Sequence, residues 1–411
     1  MKKERFFRIS GEVDEDLIDK AEDNKGTVSP KINLKRWAAI AACAVLVIII
    51  GFIMTQNNNT ILPNDDELPL LSLDIDGSIG GGMGFEGYMA YDISELKNEN
   101  PWTEESKISH LPVFKNTMIY EGARYASNPD IKAMEKILTE VAGRLGMDVT
   151  NLEITNDYPD EETIKMVTEK YAAIGRKVPA EFFGIGCVLA EDKGIKFKVD
   201  ARLVTTIMFE PSVSLPEEYN FTHCSSYNDK YKVAEYFQEE YKDFLNMKNS
   251  KINITGGDYS YDSNQAFHIE FFDNSGDIVD RIINYNFNYV TFCCNDERSL
   301  FISRVYKSDL SKKIGDYPII TPQKANELLI NGNYITTVPE NFPGKKFIRK
   351  TELVYRTGGT EKLYLPYYRI YVEMPTMKLE NGINTYGAYY VPAVEEKYIT
   401  NMPLWKGSFN N

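Results

Sequence analysis

Six glycines between Gly77 and Gly87, in the stretch DIDGSIGGGMGFEGYMAYDISEL, are the first residues whose type and spacing could do chemistry, because backbone N–H groups of a glycine-rich loop can cradle phosphate. A Walker loop, however, ends in Gly-Lys-Ser/Thr, and a dinucleotide loop lies between a hydrophobic strand and a helix. This stretch has no such lysine and no helix start after it, so it reads as a lead-in whose last part, 85–96, lays aromatic side chains on the folded body. Glu86, Asp92 and Glu95 are the best candidates for a carboxylate pair acting on a glycan. Nothing sets two of them at a working distance, and acids at this density read as a solvated face. Serine chemistry has no Gly-x-Ser-x-Gly to stand on, and the scattered His110, His223 and His268 supply no base. The sequence assigns no catalytic residue and no cofactor.

Metal chemistry fares no better. Five cysteines and three histidines match no zinc spacing, so no metal site is assigned. Cys43 falls in an apolar run, Cys187, Cys224, Cys293 and Cys294 read as small buried thiols, and a Cys187–Cys224 bridge stays open. The acids around Asn274-Ser275-Gly276-Asp277 are too few for a calcium loop and read as a hairpin turn.

The apolar run decides where these residues would work. Residues 37–54, from Trp37 to Met54, carry no charge, and as a helix would be roughly 27 Å long, close to the hydrocarbon thickness of a bilayer. The lead-in of 36 residues and the exit through Ile53-Met54-Thr55-Gln56 do not suit a cleaved signal. Cys43 stands inside the run, where a lipoprotein cysteine would follow it. The expectation is a permanent single span over 37–55. Lys31, Lys35 and Arg36 precede it and Asp65, Asp66 and Glu67 follow, which puts the N-terminus in the cytoplasm and the body outside. The residues before Trp37 hold nine Lys+Arg and eight Asp+Glu, so the chain's charge of −14 lies in the body. That balance argues against nucleic acid as a partner.

The expected fold class is α+β: a single N-terminal transmembrane helix, then an extracytoplasmic body of helices packed on antiparallel sheets in two lobes. The expected divisions are a tail at 1–36, the helix at 37–55, a linker and strap at 56–110, one lobe at 111–310 and a second at 311–411. In the tail, Val13, Leu17 and Ile18 would form an apolar ridge on a short helix over 12–23, too short to hold alone, which makes them the candidate contact for a cytoplasmic or membrane protein partner. Body helices are expected over 130–145, opened by Asn128-Pro129, over 160–173, over 229–247, and from Thr321-Pro322 to Ile330. Strands are expected at 184–190, 196–209, 290–294, 300–306, 347–355, 363–374 and 388–394, and FHIEFFDNSGDIVDRIINYNF reads as a hairpin.

Two stretches resemble known families. ISGEVDEDLIDKAED followed by KRWAAIAAC resembles the anchors of single-pass Firmicute envelope proteins, including anti-sigma-factor-like regulators. DYPIITPQKANELLINGNYITT with FIRKTELVYRTGGTEKLYLPYYRIYVEMP resembles PepSY-like modules and the membrane-anchored regulators of the WalK-type sensor kinase. The resemblance implies a non-enzymatic signalling or regulatory protein of the cell membrane whose outer ligand is unknown. The alternative is an extracytoplasmic binding or structural module with a passive anchor.

Overall fold

Val188 and Ala190, Phe197 and Val199, Ile207 and Phe209, Ile252 and Ile254, Ile269 and Phe271, and Val290 and Phe292 occupy alternate positions, so the strands that carry them each bury one face. A computed structural model shows what they build, an antiparallel sheet of eight strands. The structure describes residues 68–73, 88–90, 97–117, 120–121, 125–126, 130–178, 186–219, 221–222, 224–259, 264–338, 340–358, 361–378 and 382–405. All of them fall in the compact unit that spans 65–411.

In chain order the elements are β1 (Tyr88–Ala90), β2 (His110–Lys115), β3 (Tyr120–Glu121), β4 (Tyr125–Ala126), α1 (Ile131–Arg144), β5 (Ile154–Asn156), α2 (Glu161–Ala173), β6 (Val188–Asp192), β7 (Ile195–Val199) and β8 (Thr205–Ser214). Next come α3 (Tyr227–Glu240), α4 (Lys242–Leu245), β9 (Ser250–Tyr259), β10 (Gln265–Asp273), α5 (Ile278–Phe287), β11 (Asn288–Cys294) and β12 (Ser299–Lys307). The last are β13 (Lys313–Pro318), α6 (Pro322–Ile330), β14 (Ile335–Thr336), β15 (Ile348–Tyr355), β16 (Leu363–Tyr364), β17 (Pro366–Lys378) and β18 (Asn384–Pro392). The large sheet runs β5-β6-β7-β8-β12-β11-β10-β9. A second runs β1-β18-β17-β15 with β14 on β18, and a third β13-β2-β16.

Helices α1 and α3 lie on the same face of the large sheet. Met134, Leu138 and Val141 of α1 and Val233, Ala234 and Phe237 of α3 recur at helical spacing and meet the apolar face of the strands in one core. Each helix starts where a side chain satisfies an early N–H: Asp130 accepts from Ala133, and Ser226 accepts from Asp229. A second core joins α5 and α6 to the second sheet through Ile282, Phe287, Leu328, Leu329, Tyr368 and Tyr389. The outer edge of β15 is closed to a further strand, because the Tyr355 N–H donates to Asn286 and the Leu353 carbonyl accepts from Asn100.

Several expectations need correction. Among the described residues no helix is long and apolar enough to cross a membrane. The fold shown is therefore the α+β body without the transmembrane helix; that helix, expected over 37–55, lies outside the described residues, as do Val13, Leu17 and Ile18. The hairpin read at Asn274-Ser275-Gly276-Asp277 is instead a strand followed by helix α5. The Asp277 side chain accepts from the N–H groups of Val279 and Asp280, the Asp280 side chain accepts from the Asp277 N–H, and this capping box turns β-branched residues into a helix. The strand read over 196–209 is two, β7 and β8, divided by a turn in which Leu203 takes a positive φ and Asp200 accepts from the N–H groups of Arg202 and Val204. Helix α1 is capped by Asp130 and not by Asn128, and the helix read over 229–247 breaks at Tyr241. Cys187 is buried and Cys293 and Cys294 are half-buried, but Cys224 is exposed, and all four thiols are free.

Candidate functional site

With the apolar alternates of the large sheet turned to α1 and α3, the residues between them stand on its second face. Strand register lines them up. One row across the sheet reads Asn253, Glu270, Thr291, Arg304, Thr206 and Lys198, each opposite the next. The neighbouring row reads Lys251, Phe272, Tyr289 and Tyr306. Helix α5 covers the end of this face, where Tyr285 meets the buried ring of Phe272 edge-on at 5.3 Å. Glu270, Thr291, Arg304, Tyr289 and Tyr306 are half-buried.

Glu270 carries the electrostatic interest. Its Oε2 accepts from Asn253 Nδ2 at 3.0 Å and its Oε1 from Thr255 Oγ1 at 3.1 Å, and among the described residues no cation pairs with it. Burial pushes its carboxyl up to about 7 against the pull of those two hydrogen bonds. Tyr285, Tyr289, Tyr306 and Cys293 surround it closely enough to feel its charge. Burial raises the Tyr306 and Cys293 groups, with Arg304 pulling both the other way. Together these half-buried side chains form what is the recess of this face, one patch across adjoining central strands whose groups each keep part of their surface.

Across the row, Arg304 directs Nη1 at Cys293 Sγ, 3.9 Å away, and forms no ion pair among the described residues. Strands lie roughly 4.8 Å apart, so Glu270 and Arg304, two strands apart, have backbones separated by about 10 Å. Between them stands Thr291, whose hydroxyl is buried with no hydrogen-bond partner. Beside them the rings of Tyr289 and Tyr306 stack at 4.3 Å with planes 13° apart. The recess therefore offers a carboxylate, a guanidinium and an aromatic pair on adjoining central strands, around a buried hydroxyl without a partner among the described residues.

Behind the carboxylate a polar network leads to the second sheet. The Glu99 N–H donates to Asn253 Oδ1 at 2.9 Å, the neighbouring Asn98 Nδ2 donates to Glu352 Oε1 at 2.7 Å, and Glu352 is held by Arg369, Lys350 and Tyr371. The segment from Lys97 to Trp102 is thus pinned at one side to the recess and at the other to β15.

Glutamine at position 270 tests the electrostatics. A carboxyl raised from an ordinary 4.5 to about 7 makes the folded state bind a proton that the unfolded state releases, so its contribution is full below pH 4.5 and is lost as pH rises towards 7. The linkage ceiling is about 3 kcal/mol, reduced here by the partial exposure of the residue. Glu270→Gln should therefore match the parent near pH 5 and exceed it by about 1–3 kcal/mol at pH 8, measured as urea midpoints. A difference that does not change with pH would show that the carboxyl is not strained.

Of the residues singled out in the sequence, Cys293, read there as a packed thiol, stands at this recess beside Arg304. Glu86, Asp92, Glu95, His223 and the glycine run lie outside the described residues, while the exposed His268 stands on the same face two positions before Glu270. A usable signal was present, since FHIEFF places one carboxylate, and FISRVYK one arginine, among apolar alternates. No family model matches the chain, and no curated protein matches it, so its function is argued from the geometry of this face.

Proposed function

We propose that the protein is a non-enzymatic regulator that works by taking up a ligand in the recess of the large sheet. One observation carries this reading: Glu270 and Arg304, neither of which has an ion-pair partner among the described residues, stand on one row, two strands apart, beside a stacked tyrosine pair. A buried or half-buried charge without a partner is costly, and a ligand that supplies the partner recovers that cost. The central strands hold these side chains in fixed register, which favours recognition.

The regulatory part of the reading is supported by what lies behind the recess. A ligand that draws on Glu270 acts on Asn253, and Asn253 holds the backbone of Glu99 in a segment anchored next door to Glu352. A change of occupancy in the recess would then reach a segment outside it through four named hydrogen-bonding groups.

The test is genetic. In the native host, Arg304→Gln on the chromosome should reproduce the transcriptional response to deletion of the gene, while abundance measured by immunoblot stays at the parental level. Glu270→Gln should do the same. A transcriptome unchanged by either substitution, alongside a clear response to deletion, would place the function elsewhere on the molecule.

A further inference from the structure

The charges of the recess also say what kind of ligand it would hold. We infer that it takes a zwitterion of the amino-acid or short-peptide class, with the ligand's ammonium on Glu270 and its carboxylate on Arg304; this rests on the reading of the recess as a binding site.

Three features point to both charges at once. A simple anion drawn to Arg304 would meet the Glu270 carboxylate two strands away, and a simple cation drawn to Glu270 would meet the guanidinium. In a recess, where charges are weakly screened, each mismatch opposes the wrong ligand. The orientation of Glu270 fits as well. Both of its present donors, Asn253 and Thr255, belong to β9, so its remaining lone pairs are left for the opposite side, towards Thr291 and Arg304. Between the charges the buried Thr291 hydroxyl lacks a hydrogen-bond partner among the described residues, and a carbonyl or amine of a ligand seated over it would supply one.

Size is consistent with this assignment. An extended chain advances at most about 3.5 Å per residue, so a dipeptide spans roughly 7 Å. The backbones of Glu270 and Arg304 lie about 10 Å apart; the Arg304 side chain reaches into that interval towards Cys293, while the Glu270 carboxyl leans away from it towards β9. One or two residues fill what is left. The Tyr289–Tyr306 stack along the flank gives the ligand's side chain an aromatic wall.

Isothermal titration of the full chain at pH 7.5 tests the inference with alanine, alanyl-alanine, N-acetyl-alanyl-alanine and alanyl-alanine amide. Free alanine or the free dipeptide should bind, and blocking either end of the dipeptide should weaken binding by about tenfold or more, since each block removes a charge-assisted contact. Preference for free alanine would fix the ligand as an amino acid, and preference for the dipeptide would fix it as a peptide. The variants should then erase selectivity end by end: Arg304→Gln should no longer distinguish the free acid from the amide, and Glu270→Gln should no longer distinguish the free amine from the acetylated form. No heat from alanine or the free dipeptide at millimolar concentration, or equal binding of free and blocked forms, would overturn the zwitterion. If that happened while Arg304→Gln still reproduced the deletion response, the recess would remain the site and only the ligand class would fall.

Discussion

Replacing Phe237 by alanine should cost about 3–5 kcal/mol of stability, among the largest losses any single apolar truncation in this protein would produce. Phe237 is 1% exposed. Its ring stacks on Phe292 at 4.7 Å and meets Tyr241 edge-on at 5.7 Å, while Phe292 takes Phe244 and Phe271 on its edges at 6.0 and 5.5 Å. The aromatic group thus joins α3 and α4 to the middle of the large sheet. Neighbours that already touch rings on other sides cannot collapse into the space an alanine leaves, so transfer and cavity costs add. Phe301→Ala, at a residue 37% exposed, is the matched control and should cost less than about 1 kcal/mol. Urea midpoints of the two variants decide the matter. A loss of 1 kcal/mol or less at Phe237 would mean that α3 is loosely held on the sheet, and the recess on the other face would lose its rigid backing.

The parts of this fold that could be read in advance are those specified by neighbours in sequence. Thr321-Pro322 marked the start of α6, and Ala325, Leu328 and Leu329 its buried side, because cap and periodicity are local. Helix α5 failed the same test for a local reason too. Ile278, Val279, Ile282 and Ile283 favour a strand, and only the Asp277–Asp280 capping box and the i, i+4 spacing of Ile278 with Ile282 and of Val279 with Ile283 speak for a helix. The recess was hidden for another cause. Alternation in FHIEFF and FISRVYK tells which residues share a face, but that Glu270 lies opposite Thr291 and Thr291 opposite Arg304 depends on pairing between strands far apart in sequence. Asn253 belongs to a strand that the sequence reading left unassigned, since KINITGGDY contains two adjacent glycines where a regular strand would carry side chains; both take positive φ, and the β9–β10 register shifts opposite them.

Glu352→Ala should destabilise the protein by about 3–5 kcal/mol at neutral pH, because it breaks a buried charge cluster by removing the acid that Arg369 and Lys350 share. The Glu352 side chain is 4% exposed, with Arg369 Nη2 at 2.7 Å and Nε at 3.2 Å from Oε2, and Lys350 Nζ at 2.8 Å from Oε1. Burial alone would raise its carboxyl, but the charges of Arg369 and Lys350, with the hydrogen bonds from Lys350 and Asn98, hold it down at about 2. A carboxyl lowered from 4.5 contributes stability that is present above pH 4.5 and is lost as pH falls towards 2, with a linkage ceiling of about 3 kcal/mol. Glu352→Gln keeps the shape and removes the charge, so its deficit should be largest at pH 7 and shrink steadily between pH 4.5 and 3. A deficit that stays constant over that range would assign the stabilisation to packing. Glu352→Ala, which leaves no acceptor for Asn98, bears on function as well, because Glu352 anchors Asn98 while Asn253 anchors Glu99. Losing the first anchor should speed amide hydrogen exchange at Asn100 and Trp102, whose N–H groups bond within that segment, well beyond the change at α1 on the far face. Exchange that rises equally everywhere would reduce Glu352 to a general prop of the fold and remove it from the path between the recess and the rest of the molecule.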